Sequence, residues 1–230
     1  MLYGIDISHY QKDIDLAKVK VDFAIVKATG GCEYVNPTCD EHIQQAIKKK
    51  IKWGFYHFAG DNCGGSAENE CDFFIANTKG YQGNGIPVLD WEETQSVAWV
   101  NTFVRRYHDK TGVWPWIYAN PWRFNQGGVE SNCARWVADY PNLYRPTFEQ
   151  VKDMGCNETD GLIAAWQFCS DGRLSGYGND LDLNIAYLTK DAWDKYVGLS
   201  AANNQIVEKP TEKQSIIVEN DKYKVEIREK

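Results

Sequence analysis

The segment GIPVLDWEET, residues 85–94, joins a run of apolar residues directly to three carboxylates. The apolar part is typical of a strand that is buried on both faces of a sheet. Because side chains alternate along a strand, we expect Asp90 and Glu92 to point to one side and Trp91 to the other. The pattern therefore predicts a strand that ends in two carboxylates on one face, just before a helix that begins at Thr94.

Seven further segments have the same apolar character, so the sequence predicts eight strands. They lie at residues 2–8, 22–29, 52–59, 114–120, 134–140, 162–168 and 180–188. Helical patterns occur at residues 36–50, 66–80, 94–112, 120–128 and 189–197, whereas 139–161 is loop-like. Alternating strands and helices indicate βαβ units in a parallel sheet, and eight strands favour closure. We therefore predict an α/β fold, an irregular TIM-like (β/α) barrel with eight strands and fewer helices.

The character of the chain changes at about residue 200. Residues 1–200 contain all the predicted strands of the barrel, and we predict that they form one domain. Residues 201–230 begin with a polar stretch that is typical of a linker. The segment SIIVENDKYKVEI, residues 215–227, predicts a hairpin. We therefore expect residues 201–230 to be a linker or a short C-terminal extension.

Composition excludes several classes of partner. The net charge of −7 and the pI near 5.2 argue against a nucleic-acid partner, which would need a basic face. No apolar run reaches the ~18 residues that a membrane helix needs, so we expect no membrane insertion. The N-terminal MLYGIDISHY lacks the charged and apolar regions of a secretory signal. The seven cysteines are odd in number and lack C-x-x-C spacing, so we expect reduced thiols and no zinc.

The remaining strands bring further carboxylates toward the same end. Asp6 lies near the end of the first strand and Asp182 within the last, and these two strands are neighbours in a closed barrel. With Asp90 and Glu92, four carboxylates are predicted to ring one mouth, at the end where barrel enzymes carry their catalytic groups. Aromatic residues at matching strand ends are predicted to bind substrate: Tyr56, Tyr118, Trp136 and Trp166.

Clustered carboxylates suit the cleavage of glycosidic bonds. They repel one another, so one of them tends to hold a proton at neutral pH, and a protonated carboxyl beside ionised ones is what the reaction requires. Two other interpretations are open. Glu92 and Glu93 would also favour the N-terminus of a helix at Thr94, and this is the favoured reading for Glu93. A metal site is disfavoured because no histidine accompanies the carboxylates at ligand spacing.

The chain resembles the glycoside hydrolase family 25 lysozymes, the Chalaropsis-type muramidases common among bacteriophage endolysins. The resemblance covers about residues 2–198, and it lies in the order and combination of the motifs rather than in any single motif. These motifs are GIDIS (4–8), FAIVKATGG (23–31), GFYHFA (54–59), PVLDWE (87–92), WIYAN (116–120), RWVADY (135–140), AAWQF (164–168) and DLDLN (180–184).

The resemblance implies hydrolysis of the β-1,4 bond between N-acetylmuramic acid and N-acetylglucosamine in bacterial peptidoglycan, without a cofactor. It implies that Glu92 is the proton donor and Asp90 its partner carboxylate, with Asp6 and Asp182 as flanking acids. It also implies that Tyr56, Tyr118 and Trp166 line the sugar groove. Two routes stay open for the sugar cation: direct attack by Asp90, or attack by the 2-acetamido group of the substrate, which the resemblance favours.

Two alternative functions stay open at this stage. One is another barrel glycosidase such as a chitinase, which is disfavoured because Pro87, Val88 and Leu89 replace a longer acidic series. The other is a non-catalytic barrel that binds the cell wall, which the intact Asp90–Glu92 pair disfavours. Without a signal, the resemblance implies a chain that stays in the cytoplasm of the producing cell until lysis and then acts on the wall. Weak self-association through residues 201–230 is a further expectation.

Overall fold

The computed structural model describes residues 1–60, 64–197, 217–220 and 223–226. The strands in these ranges are β1 (Leu2–Ile7), β2 (Phe23–Gly30), β3 (Tyr34–Val35), β4 (Lys52–Phe58), β5 (Ile86–Asp90), β6 (Trp116–Ala119), β7 (Arg135–Ala138), β8 (Ile163–Gly172), β9 (Leu181–Ala186), β10 (Ile217–Asn220) and β11 (Tyr223–Glu226). The helices are α1 (Cys39–Lys49), α2 (Ala67–Asn77), α3 (Val97–Thr111), α4 (Pro121–Phe124), α5 (Phe148–Val151) and α6 (Lys190–Tyr196). A 3-10 turn follows β1 at His9–Gln11.

Eight of the described strands form a closed barrel in the order β1-β9-β8-β7-β6-β5-β4-β2, and β2 pairs with β1 to complete the ring. The short β3 extends the edge of β2. All eight predicted strands are present, and only four-residue helices follow β6 and β7. The prediction of an irregular eight-stranded barrel with fewer helices is confirmed. Strands β10 and β11 pair antiparallel with each other, whereas the division at about residue 200 stays a prediction.

The direction of β9 corrects the prediction of an all-parallel sheet. The β9 strand runs antiparallel to both β1 and β8, and the other neighbours in the ring are parallel. The physical reason is the short connection, because β8 ends at Gly172 and β9 begins at Leu181. Parallel neighbours need a crossover of roughly a dozen residues or more, whereas antiparallel neighbours can be joined by a short turn.

Helices α1, α2 and α3 cover the outer face of the barrel on the side of β2 and β4. The buried residues of α3 recur at the helical spacing, at Val100, Phe103, Val104 and Tyr107. The N-cap of this helix is Ser96, whose hydroxyl accepts from the Trp99 N–H, and not Thr94 as predicted. Glu92 and Glu93 therefore lie outside the first turn of α3, and helix capping does not account for Glu92.

The inside of the barrel is apolar at its N-terminal end. Trp193 of α6 fills this end and packs against Phe23 and Trp116, with ring centroids 5.1 and 5.5 Å away. Gly4 of β1 faces the Phe23 ring, and a Cβ at Gly4 would lie 2.5 Å from that ring. Because the N-terminal end is filled with side chains, the space that remains for a ligand is at the opposite end, where the parallel strands terminate.

Candidate active site

The four predicted carboxylates meet at the C-terminal mouth of the barrel. Asp6 lies near the end of β1 and is the register partner of Asp182 on the antiparallel β9, so the two side chains share one edge. Asp90 is the last residue of β5, and Glu92 follows two residues later. All four line a cleft of about 290 Å³, together with Ile7, Ser8, Tyr10, Gln11, Lys27, Tyr56, Phe58, Tyr118, Trp136, Tyr140 and Gln167.

The alternation predicted for the end of β5 is present. Asp90 and Glu92 line the cleft, whereas the Trp91 ring is buried on the outside of the barrel wall. The Trp91 indole donates to the carbonyl of Gln95 at 2.8 Å, which anchors the segment that follows the strand. Glu93 is exposed and does not line the cleft, and its predicted role at a helix N-terminus is wrong, because the N-cap of α3 is Ser96 and no acidic residue lies in the first turn.

Asp6 is fixed by amide donors from the two neighbouring strands. Its Oδ2 accepts from Nε2 of Gln167 on β8 at 2.9 Å and from Nδ2 of Asn184 on β9 at 2.7 Å. Hydrogen bonds of this kind stabilise the ionised form and lower a carboxyl pKa, but burial has the larger and opposite effect. The net result is a pKa of about 7 for Asp6.

The amides that hold Asp6 are themselves oriented by aromatic donors. Oε1 of Gln167 accepts from the hydroxyls of Tyr118 at 2.7 Å and Tyr140 at 2.5 Å. Oδ1 of Asn184 accepts from the Trp136 indole at 2.8 Å. Since each amide oxygen has a donor, each amide nitrogen is turned toward Asp6. The floor of the cleft is thus one connected network that leaves little rotational freedom to Asp6.

Asp90 is the most enclosed of the four carboxyls, with 6% of its surface exposed. Burial raises its pKa well above the ordinary value, and the nearby Glu92 carboxyl adds to the shift. Among the described residues, no hydrogen-bond partner reaches its buried Oδ1. A buried acceptor without a donor is costly, so Oδ1 is placed to accept a hydrogen bond from a bound molecule.

Glu92 keeps contact with solvent but lies against the protein on its cleft side. This partial burial raises its pKa above the ordinary value, while a hydrogen bond with Asp90 lowers it and raises that of Asp90. Asp182 is shifted further, to a pKa of about 9, by burial and by the charges of Asp6 and Glu92. The mouth therefore holds protonated carboxyls at neutral pH, which is the condition that general acid catalysis requires.

Three of the four predicted aromatic residues line the cleft: Tyr56, Tyr118 and Trp136. Burial and the neighbouring carboxylates raise the pKa of both tyrosines well above the ordinary value, so their hydroxyls remain donors. The placement of Trp166 is a correction, because it does not line the cleft. Its ring packs against Phe168 on the outside of the wall, and its indole donates to the carbonyl of Asp139. On β8 it is Gln167 that faces the cleft, so the adjacent residue faces away.

Several lining residues were not singled out from the sequence: Tyr10, Gln11, Lys27, Phe58, Tyr140, Gln167 and, behind them, Asn184. Two of them carried a detectable signal. Asn184 lies two residues after Asp182 and Phe58 two residues after Tyr56, so alternation places each pair on one face. The Lys27 ammonium lies 4.5 Å from the ring centroid of Phe58 and lowers the pKa of Asp90 and Glu92.

Cysteines stand apart from the cleft. The described residues Cys39, Cys71, Cys133, Cys156 and Cys169 carry free thiols, and none of these five lines the cleft. Burial raises the pKa of Cys39, Cys71 and Cys133 to about 12, which keeps these thiols protonated and unreactive.

In the ranges that the structure describes, no group of three or more His, Cys, Asp or Glu side chains is arranged to hold a metal ion. Nor does any helix in those ranges have the length and apolar content needed to cross a membrane.

Comparison with known sequences identifies relatives that are named muramidases and lysozymes. The model of the family described as "Glycosyl hydrolases family 25" matches residues 5–177. The N,O-diacetylmuramidase of a Chalaropsis species is 35% identical over 141 residues, which is 51% of this chain and 65% of that protein. Lysozyme M1 of Streptomyces globisporus is 30% identical over 204 residues, which is 79% of this chain and 66% of that protein. The chain thus spans just under two thirds of the length of these curated relatives.

Comparison of the fold agrees with the sequence matches. The crystal structure of a bacterial lysozyme from Streptomyces coelicolor superposes with a TM-score of 0.73 at 24% identity, covering 86% of this chain and 98% of that one. A muramidase from Trichobolus zukalii superposes with a TM-score of 0.64 at 25% identity, covering 86% and 99%. The same irregular barrel is therefore present across bacterial and fungal relatives.

Proposed function

The chain belongs to glycosyl hydrolase family 25, and from this premise we propose that it is a lysozyme. The proposed reaction is hydrolysis of the β-1,4 bond between N-acetylmuramic acid and N-acetylglucosamine in bacterial peptidoglycan, which lyses the cell wall. One observation carries the proposal: Asp90 and Glu92 share a hydrogen bond in an acidic cleft, and the buried Oδ1 of Asp90 awaits a donor. A glycan strand of N-acetylated sugars supplies both an N–H donor for Asp90 and a glycosidic oxygen that Glu92 can protonate.

Glu92 is the proposed general acid and base. Burial raises its pKa above the ordinary value, which favours the protonated form, and its access to solvent lets a water molecule reach it. In the first step the Glu92 proton passes to the glycosidic oxygen as the bond between that oxygen and the sugar C1 breaks. In the second step the Glu92 carboxylate takes a proton from the water that attacks C1, the bond between C1 and the acetamido oxygen of the intermediate breaks, and the acid is restored.

Asp90 is proposed to orient the 2-acetamido group of the substrate rather than to attack C1 itself. Its deep burial and raised pKa make it a poor nucleophile, whereas its Oδ1 lacks a donor among the described residues. The acetamido N–H fits that position, and the acetamido carbonyl oxygen then attacks C1 as the leaving group departs. The resulting ring carries positive charge beside Asp90, which the carboxylate stabilises.

Substrate binding also settles where the shared proton lies. Before substrate binds, the hydrogen bond between the two carboxyls raises the pKa of Asp90 and lowers that of Glu92, so Asp90 is the proposed carrier of the shared proton. A hydrogen bond from the substrate N–H to Asp90 favours its ionised form. The proton then moves to Glu92, which becomes the acid only when substrate is in place.

The flanking groups are proposed to bind and orient rather than to react. Asp6 is held by Gln167 and Asn184, and its charge disfavours ionisation of Asp90 and of Asp182. Tyr56, Tyr118 and Trp136 line the cleft, and aromatic side chains suit the apolar faces of sugar rings.

Peptidoglycan glycan strands are thus the proposed partner, and the bacterial cell wall the proposed place of action. The net charge of −7 speaks against a nucleic-acid partner. Release of the chain from the cytoplasm at lysis, and weak self-association through residues 201–230, remain proposals of the same kind.

The test is mass spectrometry of digested peptidoglycan, which identifies the sugar at each new reducing end. A muramidase exposes N-acetylmuramic acid, and we expect this sugar at essentially every new end. Chitin serves as the control substrate and should remain intact, because it lacks muramic acid. New ends that carry N-acetylglucosamine, or efficient digestion of chitin, would contradict the proposal.

A further inference from the structure

The backbone of Glu92 lies beyond the support of the sheet. The β5 strand ends at Asp90, and the last backbone hydrogen bond to the neighbouring strand runs from the Trp91 N–H to the carbonyl of Tyr118 at 2.9 Å. General acid catalysis nevertheless requires the Glu92 carboxyl to stay within hydrogen-bond reach of the glycosidic oxygen. The position of Glu92 therefore depends on contacts from outside β5.

Arg123 of α4 supplies such a contact. Its Nη2 donates to the backbone carbonyl of Glu92 at 2.5 Å, and its guanidinium lies over the Trp91 ring, 5.1 Å from the centroid. The Arg123 side chain thus contacts both Trp91 and Glu92, the two residues that follow β5. A lysine would supply the charge, but it lacks the planar fork that donates and stacks at the same time.

The helix that carries Arg123 is itself firmly anchored. Its N-cap Asn120 accepts from the Arg123 N–H at 3.0 Å, and Phe124 is fully buried. The Phe124 ring lies 5.3 Å from the guanidinium of the buried Arg135. Arg135 in turn donates to the backbone carbonyls of Val129, Glu130, Cys133 and Asp160. The side chain of Arg123 therefore extends toward Glu92 from a rigid base.

We propose that Arg123 is a positioning residue for the reaction: it holds the backbone of Glu92 so that the carboxyl faces the bond to be cleaved, and it sets the electrostatic environment of that carboxyl. The proposal rests on the proposed role of Glu92 as general acid. It adds that the orientation of this acid is supplied by α4, an element separate from the strand that carries it.

The charge of Arg123 has a consequence that a purely structural contact would lack. A nearby positive charge favours the ionised carboxylate, and Arg123 lowers the pKa of Glu92 against the larger effect of burial. Removing the charge should therefore raise this pKa. Since the protonated form is the active one, the alkaline limb of the pH–activity profile should move to higher pH.

The experiment compares Arg123→Gln and Arg123→Lys with the wild type on soluble peptidoglycan fragments, measuring kcat and KM across pH. For Arg123→Gln we expect kcat to fall about ten-fold through loss of orientation, KM to change little, and the alkaline limb to move upward. For Arg123→Lys we expect a smaller loss of kcat, and we expect the alkaline limb to stay at its wild-type pH. The matched control is Arg106→Gln, which removes an arginine that pairs with Asp72 on α2 and leaves the cleft intact.

The proposal is overturned if Arg123→Gln keeps the wild-type kcat and its alkaline limb does not move. It is also overturned if Arg123→Gln loses no more kcat than the control Arg106→Gln. If Arg123→Gln fails to fold, Arg123→Lys carries the test, and wild-type kcat in that variant overturns the proposal. Failure of the proposed function is recognised separately, by activity that survives in Glu92→Gln.

Discussion

Each of the four cleft carboxyls has a raised pKa, and burial is the largest cause for every one of them. Such groups reduce the stability of the folded state, because they must lose hydration while repelling one another. Sites of this kind are retained for chemistry rather than for folding. Two predictions at single residues separate the chemical role from the energetic one.

Glu92→Gln should nearly abolish lysis, because the amide keeps the shape of the side chain but cannot donate the proton. Loss of general acid catalysis typically costs ~10²–10⁴-fold in rate. The neighbouring Glu93→Gln is the control, since Glu93 is exposed and lies outside the cleft. The measurement is the initial rate of clearing of a cell-wall suspension, with thermal unfolding to verify the fold. A Glu92→Gln variant that keeps more than about half of the wild-type rate would remove Glu92 from the mechanism.

Asp182→Asn should stabilise the protein in a pH-dependent way. The pKa of Asp182 is raised from 3.8 to about 9, so between these values the folded state binds a proton that the unfolded state releases. Stability therefore falls as pH rises through this range, and asparagine removes the effect. We expect equal melting temperatures for variant and wild type below about pH 4 and an advantage of ~3 °C or more for the variant at pH 8. Thermal unfolding across pH measures this, and a constant difference at all pH values would contradict the assigned cause.

At the scale of elements, the connection after β4 depends on a buried carboxylate from α2. Glu70 is 1% exposed and accepts from the backbone N–H groups of Gly60 and Gly65, each at 2.8 Å. Its Oε2 also lies 3.0 Å from Nε2 of His57, whose Nδ1 is 2.8 Å from the hydroxyl of Thr29. This cluster links β2, β4 and α2 behind the wall that carries Tyr56 and Phe58.

Glu70→Ala should therefore destabilise the fold strongly. Removing one partner of a buried charged cluster leaves the other donors unsatisfied and typically costs about 3–5 kcal/mol. Glu68→Ala is the control, because Glu68 lies in the same first turn of α2 but is exposed. Chemical denaturation of both variants gives the free energies of unfolding. Similar values for the two variants would show that the Glu70 cluster contributes little.

At the scale of the whole molecule, the barrel is closed at its N-terminal end by α6. The Trp193 indole donates to the carbonyl of Trp53 at 3.3 Å, and the Tyr196 hydroxyl donates to the carbonyl of Trp114 at 2.8 Å. The strands of the ring and the helix that closes it all lie within residues 1–197.

Truncation after Ala202 should leave the melting temperature and the release of soluble fragments nearly unchanged, whereas binding to intact walls is expected to weaken if the removed segment contributes affinity. An isolated two-stranded hairpin is marginally stable in water, so β10 and β11 are not expected to support the barrel. Truncation after Thr189 is the contrasting variant, because it removes Trp193 and should prevent folding. A fall in melting temperature of more than about 5 °C in the chain that ends at Ala202, larger than the effect of ~1 kcal/mol, would move the domain boundary past residue 200.

The sequence by itself determined the eight strands and the acidic mouth, because both follow from local rules. Apolar runs define buried strands, and the period of two sends Asp90 and Glu92 to one face. The position of Asp6 near the end of the first apolar segment placed it at the same mouth. The order of the motifs indicated the family. These features depend on residues that are close together in the chain.

Only the tertiary structure decided which strands meet, in which direction and in which register. The antiparallel course of β9 follows from its pairing with β1 and β8, although the short connection before it carried a signal. A register shift between Arg135 and Trp136 sets Ala165 opposite Trp136 and Trp166 opposite Val137, and Trp166 lies on the side of the wall away from the cleft. The contacts of Gln167 with Asp6 and of Arg123 with Glu92 join residues 161 and 31 positions apart. Alternation determines faces within one strand, but contacts between distant residues exist only once the barrel has closed.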